Sequence, residues 1–164
     1  MSDVSNLSHA ELDDLLDTLA NAGETVAVAE SLTGGLVCST LVSRPGASRV
    51  VAGGVVAYQT DVKASVLKVS ETLLAERGAV DADVALQMAR NVRTQFGATI
   101  GVATTGVAGP DPQDGVAVGT VFVAIVGDRD DVVNEFLFDG DRDAIRDLTV
   151  GATLRLLENF LRAE

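Results

Sequence analysis

VAVAESLTGGL, residues 26–36, is the stretch on which the fold turns. Its valines and alanines read as a short buried strand over 25–29, and the glycines after it as a turn. A helix should open at Thr33 or Gly34 and run to about Val42, where SRPGAS supplies the next turn. An acid, two hydroxyls and two glycines therefore sit at a strand-to-helix junction. Two readings stay open. Ser31 and Thr33 can cap the helix while glycine allows the tight turn. Alternatively, N–H groups at the helix start hold an anion or a developing oxyanion beside a serine oxygen. The stretch lacks both the Gly-Lys-Ser/Thr ending of a P-loop and the Gly-x-Ser-x-Gly elbow of α/β hydrolases.

Outward from this junction, helices alternate with strands. Ser8 precedes HAELDDLLDTLANAG, whose leucines 12, 15, 16 and 19 share a helical face and whose Gly23 stops it. RVVAGGVVAYQT (49–60) reads as a central strand thinned by a glycine pair. DVKASVLKV starts a short helix at Asp61. SETLLAERGA forms another, capped by Ser70 and ended at Gly78. A longer helix begins at Asp81 or Asp83, followed by the buried strand ATIGVATTGVAGP. Strands near residues 118 and 132 should form a hairpin, and RDAIRDLTVGATLRLLENFLRAE a closing helix of five or six turns. The pattern predicts an α/β fold: a three-layer α/β/α sandwich with a mixed, mostly parallel sheet, one domain over 1–164 with a polar leader over about 1–7. Ligands of such sheets gather beyond the C-terminal ends of parallel strands. Three polar clusters fall there, at 30–35, 58–63 and 104–110.

Composition narrows the function. The chain of 164 residues carries a formal charge of −12. That disfavours nonspecific nucleic-acid binding, which needs clustered cations, and anionic membranes. The acidic start and the lack of a long apolar run make a cytoplasmic protein the expectation. A high-salt cytoplasm is the preferred reason for the acidity, against the plainer reading of a solvated surface. Cys38 is alone and reads as a small core residue. His9 is the only histidine, so Ser-His-Asp, Cys-His and His-based zinc chemistry within one chain are excluded.

A hydrolase built on this chain needs another base. Only Lys63 and Lys68 are lysines, against ten arginines. An ammonium loses its proton when desolvated, which a guanidinium effectively does not. Lys63 lies five residues after Tyr58, just past a buried strand, so it is either a solvated helix charge or the base for a serine. Thr104-Thr105-Gly106 is either turn chemistry or a hydroxyl facing the same crevice. Arg142 and Arg146 share a helix face and are either solvated or a phosphate sink.

Together AESLTGGL, GGVVAYQTDVKASVL, TTGVAGPD, VGT and FDGDRDAIRDLTV resemble the motifs of the C-terminal domain of the CinA competence/damage-inducible proteins, over residues 8–161. That family includes stand-alone nicotinamide-nucleotide amidases, and the chain looks like that free-standing form. The resemblance implies a compact α/β/α sandwich, a homo-oligomer of two or more copies, and a metal-free, cofactor-free reaction. The reaction is deamidation of nicotinamide mononucleotide to nicotinate mononucleotide and ammonia, a step of pyridine nucleotide salvage. It implies Ser31 as nucleophile, Lys63 with Tyr58 as base and proton relay, and Thr105 as a hydroxyl at the reacting group. Thr33, Gly34, Gly35 and Gly106 would hold the oxyanion or phosphate, and at least one of Arg142 and Arg146 the nucleotide. The alternative is a catalytically silent nucleotide-binding or regulatory module. The loop GPDPQDGVAVGT departs from the family pattern, lacking its Gly-Gly and its Lys before Val-Gly-Thr.

Overall fold

A computed structural model describes residues 6–163. Five strands form one sheet in the order β2-β1-β3-β4-β5. They are β1 (Val26–Glu30), β2 (Val51–Val56), β3 (Ile100–Gly106), β4 (Thr120–Val126) and β5 (Asp131–Leu137). β1 pairs in parallel with β2 and β3. β4 pairs antiparallel with β3 and with β5. Four strands therefore share one direction and β4 alone opposes them, the mixed and mostly parallel sheet expected. The hairpin is β4–β5.

Period-two alternation sorts β1 between two helical layers. Val26 and Val28 face a core shared with Ile100, Val102 and Ile125. Covering this face are α1 (His9–Ala22), α2 (Leu36–Val42) and α6 (Arg142–Ala163). Ala27 and Ala29 face the other way, with Ala103 and Ala124. There α3 (Thr60–Ser65), α4 (Glu71–Arg77) and α5 (Ala82–Phe96) pack. Small side chains let α5 come close: a Cβ on Gly101 would lie 2.0 Å from the Ala89 carbonyl oxygen. Burying one valine-sized side chain contributes about 1.5–3 kcal/mol, so both faces hold the sheet.

The helix boundaries follow their caps. Ser8 and Glu11 make a reciprocal capping box on α1, and Gly23 ends it in the left-handed region. Asp81 caps α5 by accepting from the Asp83 and Val84 amides. α2 begins later than the sequence suggests. Gly34 and Gly35 have φ of 60° and 99°, which no helix accommodates, so the helix waits until Leu36. The stretch read as a central strand is instead the edge strand β2, with alternating half-buried and exposed residues. Its β-branched composition reports packing against β1 on one side, and not its place in the sheet. Of the leader, residues 1–5 lie outside the described residues, while Leu7 is buried in the α1/α6 core. No helix among the described residues is long and apolar enough to cross a membrane.

Candidate active site

The three polar clusters converge beyond the C-terminal ends of β1, β2 and β3. They line a cavity of about 340 Å³ that includes Ser31, Tyr58, Lys63, Thr105, Gly106 and Arg142. That volume lies at the small-molecule end of ligand pockets.

Ser31 follows Ala27 and Ala29 in the alternation and lines the cavity on the α3 side. Its N–H donates to the Thr104 carbonyl (3.0 Å), which extends the β1–β3 register by one residue. β2 adjoins β1 on its other edge, and α3 follows β2 closely, so α3 swings Lys63 over Ser31. Lys63 is 1% exposed and Ser31 6%. The Lys63 Nζ lies 2.9 Å from Ser31 Oγ, 2.8 Å from the Ala57 carbonyl and 3.2 Å from the Tyr58 carbonyl. Burial pushes this ammonium down from 10.5 to about 8. An amine with three acceptors uses all three hydrogens when protonated. When neutral, its two hydrogens stay on the carbonyls and its lone pair faces the serine hydroxyl.

Thr105 is buried, and its hydroxyl donates to the Ala79 carbonyl at 2.7 Å. The oxygen is then left as an acceptor at the cavity wall. Gly106 lets the backbone close in: a Cβ there would lie 2.7 Å from the Thr120 carbonyl oxygen. Tyr58 stands at the mouth, 56% exposed. Its hydroxyl accepts from Arg142 Nη2 (2.7 Å), so the carbonyl of Tyr58, and not its phenol, meets Lys63. Arg142 Nη1 donates to the Gly109 carbonyl. Eight of the ten arginines are ion-paired within 4 Å; Arg142 and Arg129 have no such partner among the described residues.

The remaining expected binding residues sit behind the cavity wall. Thr33 shares a buried hydroxyl pair with Thr104 (2.8 Å). Gly34 donates its N–H to the Ser31 carbonyl, and Gly35 donates to Glu30 Oε2. Arg146 donates to the carbonyls of Leu32 (3.0 Å) and Thr33 (3.4 Å) and lies 3.5 Å from Asp143. Thr33, Gly34, Gly35 and Arg146 are all absent from the cavity lining.

Glu30 is the residue whose role the sequence did not reveal. It is 1% exposed, and its carboxylate accepts from the amides of Gly35, Val37 and Cys38 at 2.8–3.1 Å. The start of α2 thus has its own internal anion, and those amides are not open to a ligand. The available signal was parity: residue 30 points with Val26 and Val28 toward α2. Cys38 is half-buried, and burial, then Glu30, pushes its thiol up, away from nucleophilic use. Among the described residues no three His, Cys, Asp or Glu side chains gather as a metal site would need.

Known proteins share this fold. A crystal structure of a CinA superfamily protein from Klebsiella pneumoniae superposes with a TM-score of 0.91 at 28% identity, covering 96% of this chain and all of that one. A competence/damage-inducible protein of Agrobacterium tumefaciens gives 0.85 at 33% identity, over 96% and 99%. Among curated sequences, a CinA-like protein of Frankia casuarinae is 46% identical over 147 residues, 90% of this chain and 34% of its own length. A competence-damage inducible protein of Desulforamulus reducens is 46% identical over 146 residues, 89% and 36%. The chain thus spans about a third of these curated relatives. The family described as CinA C-terminal domain matches residues 9–161, which hold every strand and nearly all of every helix that shapes the cavity. With whole-length structural agreement beside it, the conclusion is that this chain belongs to the CinA C-terminal domain family.

Proposed function

We propose that the cavity hydrolyses the carboxamide of a pyridine nucleotide, nicotinamide mononucleotide in the first instance, through a serine–lysine pair. The observation that carries this reading is the buried contact of 2.9 Å between Ser31 Oγ and Lys63 Nζ. An amide is a weak electrophile, so the attacking oxygen must lose its proton as it bonds. Lys63, with a pKa brought to about 8, is neutral often enough near neutral pH to take it.

Ser31 Oγ adds to the carboxamide carbon while its proton moves to Lys63 Nζ, and the carbonyl oxygen becomes an oxyanion. The C–N bond then breaks, and Lys63 returns the proton to the departing nitrogen, which leaves as ammonia. Water adds to the ester, giving its proton to Lys63, and the serine leaves with that proton to regenerate the hydroxyl. Ala57 and Tyr58 carbonyls orient the amine through both halves. Thr105, its own proton committed to Ala79, accepts from the carboxamide NH₂. Arg142, facing neutral partners only, is the side chain suited to a phosphate at the mouth.

The test is ammonia release from nicotinamide mononucleotide and from the corresponding riboside. The wild type should favour the phosphorylated amide, and Ser31→Ala should lose about four orders of magnitude in kcat while keeping a cooperative unfolding transition. Undiminished turnover by Ser31→Ala removes the serine from the chemistry. Binding of the mononucleotide without any ammonia makes the chain a nucleotide-binding module instead.

A further inference from the structure

The turn after Ser31 has a polarity that the side chains alone do not explain. The carbonyls of Ser31, Leu32 and Thr33 are all spoken for. Ser31 O accepts from Gly34 N (3.1 Å), and Thr33 O from Leu36 N (3.1 Å). Leu32 O and Thr33 O accept from the Arg146 guanidinium. Two of its donors are not. Leu32 and Thr33 are buried, yet their backbone N–H groups have no partner among the described residues. Buried N–H groups without partners are rare in folded proteins and ask for an explanation.

Peptide planarity supplies the direction. In a trans peptide the N–H points opposite to the preceding C=O. Arg146 lies outside the cavity lining and draws Leu32 O toward itself, so the Thr33 N–H of the same peptide unit aims away from Arg146. The Leu32 N–H opposes Ser31 O in the same manner, and Leu32 does line the cavity. Successive N–H groups in a turn make a small concave anion receptor. Charge-assisted donation into a carbonyl also polarises that peptide unit and strengthens its N–H as a donor.

We infer that the N–H of Leu32, the turn residue that lines the cavity, receives the oxyanion formed when Ser31 attacks. Arg146 is the positioning residue that holds it in place by gripping the Leu32 and Thr33 carbonyls from behind. This rests on the serine-amidase reading for its substrate. It assigns Arg146 a role in catalysis without contact to the nucleotide, and separates it from Arg142 one helical turn away.

The test is a split between kcat and KM. Arg146→Gln should lower kcat about 100-fold, the scale of losing one oxyanion donor. KM for nicotinamide mononucleotide should stay within twofold, and the riboside should lose the same factor. Arg146→Lys, which retains charge and a donor, should recover part of the rate and serves as the judged variant if Arg146→Gln lacks a cooperative urea transition. A tenfold rise in KM confined to the phosphorylated substrate, or a kcat within threefold of wild type, overturns the assignment. A second readout is the labelling rate of Ser31 by a fluorophosphonate, followed by mass spectrometry. There the serine oxygen bonds to phosphorus, fluoride leaves, the proton passes to Lys63, and the phosphonyl oxygen takes the oxyanion place. Labelling should slow at least tenfold in Arg146→Gln; an unchanged rate sinks the inference. If the wild type releases no ammonia from any pyridine amide, the amidase reading fails and labelling alone decides. A wild type that neither hydrolyses nor labels ends both.

Discussion

Two loops face each other across the cavity, and they are built in opposite ways. The 30–35 loop after β1 is tied at almost every residue: Glu30 to three amides, Ser31 to Thr104, Thr33 to Thr104, Leu32 and Thr33 to Arg146. The 106–119 loop after β3 is open by contrast. Its stretch 110–115 is exposed throughout, and its internal ties are the Gln113–Val116 bridge and a few backbone bonds at its ends. One loop carries Ser31, the proposed nucleophile; the other contributes Asp111 and Gln113 to the cavity rim. On the proposed reading, the difference teaches that position is held tightly where bonds would change, and loosely where a ligand would be recognised. An exposed loop of this kind accepts substitution at little cost.

The largest effect should come from the pair itself. Lys63→Met removes the base and should cut kcat at least 1,000-fold, on the order expected for a proton-transfer partner of a nucleophile. Because Lys63 must be neutral to accept the proton, wild-type kcat/KM should rise with pH through about 8 and level off above it. A flat profile from pH 6 to 9 would separate Lys63 from proton transfer. The stability sign is also defined. The folded pKa lies below the unfolded value of 10.5, so burial of the ammonium costs stability below pH 8, and that cost fades as pH rises toward 10.5. Lys63→Met should therefore melt higher than the wild type at pH 7.

A smaller effect should follow from loosening the tied loop. Glu30→Gln keeps the size but loses the charge and turns half of the acceptor into a donor facing N–H groups. It should lower both the melting temperature and kcat, the latter about tenfold, as geometry at Ser31 relaxes. Wild-type kinetics in that variant would show that the two loops need not differ in rigidity. The smallest effect belongs to the open loop. Asp111→Asn should leave kcat and melting temperature unchanged and shift KM only a few-fold, as expected of an exposed rim charge. A large loss of stability there would erase the contrast.

Much of the fold was legible because local chemistry and long-range structure agree. The start of α1 after Ser8, its leucine stripe, the start of α5 beside Asp81 and the hairpin all stand where residue pattern places them. The position of β2 was not, because a strand's apolar content records contact and not sheet order. Nor was the late start of α2, although two adjacent glycines hint at positive φ. In the site, scarcity drew attention to Lys63, but its contact with Ser31 spans 32 residues and depends on β1 lying beside β2. The direction of the Tyr58 phenol and the retreat of Arg146 behind the 32–33 turn are set by tertiary packing. One turn of α6 advances about 5.4 Å, enough to carry a side chain from the rim to the back wall.

The pleat of β1 and β3 carries a lesson for redesign. Neighbours along the chain, 30 and 31 or 104 and 105, belong to separate layers, one anchoring and one lining the cavity. Changes to the lining layer can thus be made without disturbing the Glu30 or Thr104 moorings. Deleting a single residue from β1 would do the reverse. It would turn the carboxylate inward and the hydroxyl outward, exchanging scaffold for chemistry in one step.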